Sequence, residues 1–72
     1  MRFIKLKEVQ NLTSLPRSTI YKYIAEGRFP KQISLGERNV AWLESEIQTW
    51  IREKVEQRQN QLMQHEMIST PL

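Results

Sequence analysis

A chain of 72 residues with 11 Lys/Arg, 8 Asp/Glu and a pI near 9.6 has room for one domain with a modest core, so a second, catalytic domain is not expected. It has no cysteine, so disulfides and thiolate metal sites are ruled out, and a single His65 cannot build a zinc site from histidines alone; no cofactor is expected. The opening MRFIKLKEV lacks the apolar core of a signal peptide and no apolar run is long enough to cross a bilayer, so the expectation is a cytoplasmic protein without a membrane partner.

The charge is unevenly divided. Residues 1–40 hold eight Lys/Arg against three acids, and residues 41–72 hold three against five. The first part thus has a surplus of five positive charges and the second a deficit of two. The basic part also carries both tyrosines, which is the footprint expected of a polyanion binder.

In chain order, Phe3 and Ile4 read as a short extended lead-in. Leu6, Val9 and Leu12 recur at three-residue spacing, the mark of one buried helical face, and predict a short helix from about Leu6 to Leu12. Thr13 and Ser14 continue a helix poorly. Pro16 disfavours helix at Leu15 but suits the first turn of a new one. A second helix is expected from Pro16 or Arg17 to Ala25 or Glu26, with Gly27 as its left-handed stop. Two short helices joined by three or four residues make a helix-turn-helix, whose second member lies in the DNA major groove.

At helical period Leu15, Ile20 and Tyr23 or Ile24 form the apolar stripe of that second helix, while Arg17, Ser18, Tyr21 and Lys22 fall on the other side. These are short hydroxyls, a guanidinium, a phenol and an ammonium, groups that reach base edges and phosphates. Arg28-Phe29-Pro30 form a rigid exit. Gln32–Leu35 and Asn39–Trp42 then read as two strands turned by Gly36, a small wing with Arg38 near its tip, suited to a phosphate or the minor groove. Ile47, Trp50, Ile51 and Val55 predict a third helix closing the core, with Glu44 and Glu46 suited to its start. Trp42 and Trp50 are expected in the core. Past Arg58 the chain turns to glutamine, with Leu62, Met63, Met67 and Ile68 as scattered apolar residues; this reads as a helical extension or a frayed tail, ending in an unstructured Ser69-Thr70-Pro71-Leu72.

The run Arg17-Ser18-Thr19-Ile20-Tyr21, then Gly27, Phe29-Pro30, Leu35-Gly36, Trp42, Glu46-Ile47 and Trp50-Ile51, resembles in order and spacing the AlpA family of phage and genomic-island regulators, related to excisionases and to the DNA-binding domain of MerR-type regulators. The resemblance covers about Ile4 to Ile51. It departs at Ser14, where family members often carry Gly, so a tighter turn is expected there.

The resemblance implies a mainly α fold with a small β-hairpin, a winged helix-turn-helix DNA-binding domain over 1–56, followed by a polar extension or disordered tail over 57–72. It implies a transcriptional regulator acting on integrase expression and excision, in the bacterial cytoplasm at the nucleoid. Double-stranded DNA is the expected partner. Integrase or RNA polymerase are candidate protein partners, and homodimers or cooperative assembly on DNA are candidate forms. Arg17, Ser18, Thr19, Tyr21, Lys22, Arg28, Lys31 and Arg38 are the expected DNA contacts, though Tyr21 and Tyr23 are also candidates for the core, and Lys5, Lys7, Arg28 and Lys31 for ordinary solvated charges.

Two other readings stand beside this one. An excisionase-type factor would bend attachment-site DNA with the same surface. A protein-interaction module would use the Gln-rich helix, although Ile51, Val55, Leu62 and Met63 do not sustain heptads. His65 beside Glu66 lies in a polar tail with no pocket, so no enzyme is expected.

Overall fold

The three-residue spacing of Leu6, Val9 and Leu12 does place them on one face: Val9 is fully buried and the two leucines pack half-buried against the core. In the computed structural model, which describes the backbone of residues 1–69 and the side chains of residues 1–59, these residues belong to the first of three helices. The elements run β1 (Phe3–Ile4), α1 (Leu6–Thr13), α2 (Arg17–Ala25), β2 (Ile33–Gly36), β3 (Asn39–Leu43) and α3 (Glu44–Ser69). The fold is mainly helical, with a small antiparallel three-stranded sheet.

The turn between α1 and α2 is built from local polar groups. Ser14 sits in the left-handed region at φ 61, ψ 22, and its N–H donates to the Gln10 carbonyl at 2.7 Å, ending α1. The Thr13 hydroxyl donates to the Val9 carbonyl at 2.8 Å and accepts the Leu15 N–H at 3.3 Å. Pro16, extended at φ −70, then starts α2, its carbonyl accepting from Thr19 and Ile20 at 3.1 Å each. At the other end of α2, Gly27 takes φ 73, as expected. Its N–H donates to Ile24 at 3.0 Å while that of Arg28 reaches back to Tyr23 at 2.8 Å, the two-bond Schellman closure.

The sheet holds more than the expected hairpin. β1 pairs with β3 (Phe3↔Leu43, Ile4↔Trp42), giving the order β1-β3-β2, because Ile4 is buried in the core and needs its backbone satisfied there. Both hairpin strands end one residue later than expected. The turn differs too: Gly36 takes φ 143 but pairs with Asn39 inside the ladder, and the residue with left-handed geometry in the turn is Arg38, at φ 56. A ladder irregularity between Ser34 and Gly36 leaves Leu35 45% exposed.

Ile4, Val9, Ile20, Phe29, Trp42 and Ile47 form the core, one side chain or more from every helix and from β1 and β3. Two indoles clamp the exit from α2: the Trp42 N–H donates to the Pro30 carbonyl at 3.1 Å and the Trp50 N–H to that of Arg28 at 2.8 Å. Phe29 lies buried between them, edge-on to Trp50 at 4.8 Å.

Two expectations for α3 need correction. Trp50 is only half-buried, since its outer ring face is covered by Lys54 at 5.3 Å rather than by core. Val55 is 42% exposed, so the apolar stripe ends at Ile51. The helix has by then left the body of the molecule. Its 26 residues extend a chain whose radius of gyration is 15.9 Å, against about 11 Å for a compact chain of this length. The expected boundary near residue 56 falls inside this continuous helix. The final Thr70-Pro71-Leu72, and the side chains of Leu62, Met63, His65, Glu66, Met67 and Ile68, lie outside what is described.

Among the described residues no helix is long and apolar enough to cross a membrane. Nor, among them, do three or more His, Cys, Asp or Glu gather where they could hold a metal ion.

Candidate nucleic-acid interface

With Ile20 buried, α2 turns Arg17, Ser18 and Lys22 outward, and all three are exposed. No acid lies in the first turn of α2 and no side chain caps it, so the positive end of the helix dipole stands beside Arg17 uncompensated. The contrast within the molecule is clear: α3 carries Glu44 and Glu46 in its first turn, and Glu44 accepts an ion pair from Arg2 at 3.7 Å. Among the described residues Arg17, Lys22, Lys31 and Arg38 make no ion pair.

The other expected contacts are placed differently. Thr19 is half-buried on the flank of α2. Tyr21, expected on the polar side, is half-buried as well: it leans over the sheet, edge-on to Trp42 at 6.5 Å, because it follows the buried Ile20 and borders the core face. The Arg17 guanidinium lies over its ring at 5.7 Å. Arg28 has much of its charge answered locally, by Glu26 at 2.9 Å and by the Tyr23 ring at 4.6 Å. Lys31 is exposed between α2 and β2, and Arg38 is exposed at the hairpin tip.

Two further residues matter, one that the pattern reading passed over and one that it read as an ordinary solvated charge. Ala25 is exposed on the same face as Ser18 and Lys22, at positions i, i+4 and i+7, and a small apolar group there suits a thymine methyl. The spacing was the available signal. Lys5 is not a loose surface charge, because its ammonium donates to Asn39 Oδ1 at 2.8 Å and to the Val40 carbonyl at 3.1 Å, tying the residue before α1 to the start of β3, next to the hairpin turn. No sequence pattern announces a contact across 34 residues.

An open groove of about 670 Å³ lies between residues 27–30 and α3, lined by Trp50 and by the mixed charges of Arg28, Glu46, Glu53 and Lys54. Among the described residues its lining holds no histidine.

A family model described as "Prophage CP4-57 regulatory protein (AlpA)" matches residues 2–55, three-quarters of the chain. The chain belongs to the AlpA family. The match ends just past Ile51, the last of the described residues of α3 packed against the core, and so covers the folded body. A protein of Enterobacteria phage P4 described as "Uncharacterized protein ORF88" is 50% identical over 54 residues, covering 75% of this chain and 61% of that protein. The chain therefore spans less than two-thirds of that relative. The "DNA-binding transcriptional activator AlpA" of Escherichia coli (strain K12) is 32% identical over 60 residues, covering 75% of this chain and 86% of the relative.

Proposed function

We propose that this AlpA-family chain is a sequence-specific, DNA-binding transcriptional regulator of a prophage or genomic island, without catalytic activity, working at the bacterial nucleoid. In this reading residues 1–56 form a winged helix-turn-helix: α1 and α2 are the helix pair, α2 enters the major groove by its N-terminal end, and the β2–β3 hairpin is the wing. The observation that carries it is the start of α2, where an exposed Arg17, without an ion pair among the described residues, stands at a helix N-terminus with no acid in its first turn. Such an end attracts an anion and supplies donors to base edges. The description of the E. coli relative as a DNA-binding transcriptional activator supports the same reading.

Arg17 and Ser18, with Thr19 and Lys22 beside them, discriminate bases. Lys31 and Arg38, and more weakly the locally neutralised Arg28, set the register on phosphates and release counterions. The output, on the family resemblance, is expression of the element's integrase and through it excision. One small module binds weakly, so occupancy requires repeated sites, a second copy or a partner such as integrase or polymerase.

The test is a titration of labelled DNA carrying the neighbouring attachment site and integrase promoter, against scrambled DNA, at two salt concentrations. Preference for the native duplex that weakens as salt rises is expected, and equal binding to both sequences would sink the reading. Arg17→Ala should lose roughly tenfold or more on native DNA, the scale of one bidentate base contact, and little on scrambled DNA. Arg38→Ala should weaken both alike. A footprint over the promoter favours the regulator; one confined to the attachment arms favours the excisionase-type role.

A further inference from the structure

We propose that Tyr21 is a positioning residue, an aromatic shelf that holds Arg17 in its reading pose, and does not itself touch a base. The inference rests on the DNA-reading proposal but is carried by a separate chain of contacts. Trp42 is fully buried and its indole N–H is held by the Pro30 carbonyl at 3.1 Å, so this ring has one fixed orientation. Tyr21 packs edge-on against it, with ring centroids 6.5 Å apart and planes at 62°. One turn earlier on α2, the Arg17 guanidinium lies 5.7 Å from the Tyr21 ring centre, within the range of a cation–π contact. The order from core to surface is thus Trp42, Tyr21, Arg17.

A free arginine has many rotamers, and a base contact made from such a side chain loses affinity to the ordering it requires. A ring beneath the guanidinium restricts the side chain before DNA arrives. A guanidinium carries five N–H donors, so one ring 5.7 Å from its centre leaves donors over for a bidentate contact. The molecule holds an informative counterpart in Arg28, which lies over Tyr23 at 4.6 Å but is also closed by Glu26 at 2.9 Å. There a carboxylate already takes one of the donors and offsets the charge. At Arg17 no acid competes among the described residues.

The experiment compares the wild-type chain, Tyr21→Phe and Tyr21→Leu. Each is titrated against a duplex that the wild-type chain enriches from a randomised library and against a scrambled duplex. Thermal unfolding serves as the fold control. Tyr21→Phe keeps the ring and should bind as wild type. Tyr21→Leu should lose about twofold to fivefold of the preference for the enriched duplex, the size of an exposed cation–π contact, with the salt dependence unchanged because no charge is removed. In parallel, the Arg17 side-chain protons of the free chain should show an upfield ring-current shift by NMR in the wild type and in Tyr21→Phe, and lose it in Tyr21→Leu. If Tyr21→Phe loses as much preference as Tyr21→Leu, the hydroxyl is a DNA contact and the shelf is overturned. Absence of the ring-current shift in the wild type also overturns it. If no duplex is enriched at all, the DNA-reading proposal fails, while the NMR shift still decides whether the shelf exists.

Discussion

Ser14 holds a left-handed backbone at φ 61 with a side chain that makes no hydrogen bond to the helix it ends. For an L-residue with a Cβ this region costs roughly 1 kcal/mol, which glycine avoids. Ser14→Gly is therefore expected to stabilise the domain by about 0.5–1 kcal/mol, part of the gain being lost to the freer unfolded chain, and to raise the thermal midpoint by roughly 2–6 °C. An unchanged or lower midpoint would show that the Ser14 backbone carries no strain. This residue was also where the chain departs from the family habit of glycine, so a tight turn was legible before the structure, and its left-handed φ was not. Arg38 at φ 56 was not, because Gly36 two residues earlier was the obvious source of a positive φ and the ladder uses it elsewhere.

At the scale of elements, the exit from α2 is the joint on which the surface depends. The Schellman closure at Gly27 fixes where α2 stops, and the two indole N–H groups fix the carbonyls of Arg28 and Pro30 that follow. Trp50→Phe removes one of those hydrogen bonds and part of the ring that packs on Phe29. We expect a cost of about 1–2 kcal/mol, read as a lower midpoint in urea unfolding. An unchanged midpoint would mean that water satisfies the Arg28 carbonyl equally well. The helix boundaries here followed from Pro16 and Gly27. The clamp did not, since nothing local to Trp42 or Trp50 says which carbonyl each indole will meet.

Taken whole, the molecule is a small body with a helix running out of it. Among the described residues every core residue lies between Ile4 and Ile47, and the last one packed against them is Ile51. Removing residues 60–72 should consequently leave the thermal midpoint within about 3 °C while lowering the helical signal in circular dichroism, because every core residue described lies before that segment. A fall greater than roughly 5 °C would mean that the removed segment packs on the body or on another copy. The surplus of positive charge in residues 1–40 belongs to the body, and the extension is close to neutral.

The sequence by itself determined α1, α2 and the first half of α3, because three-residue apolar spacing, Pro16 and Gly27 act locally, and it left the chain past Arg58 open. It also determined the family, since the match depends on residue order alone. Only the tertiary structure decided the rest, through partners far apart in the chain. Phe3–Ile4 became a third strand by pairing with Leu43 and Trp42, Lys5 was drawn to Asn39, Val55 was left outside the core, and Tyr21 turned from the polar face toward Trp42. Periodicity states which side of a helix is apolar. Which neighbour a flanking side chain meets is set by how the helices and strands pack, and packing is a property of the assembled core.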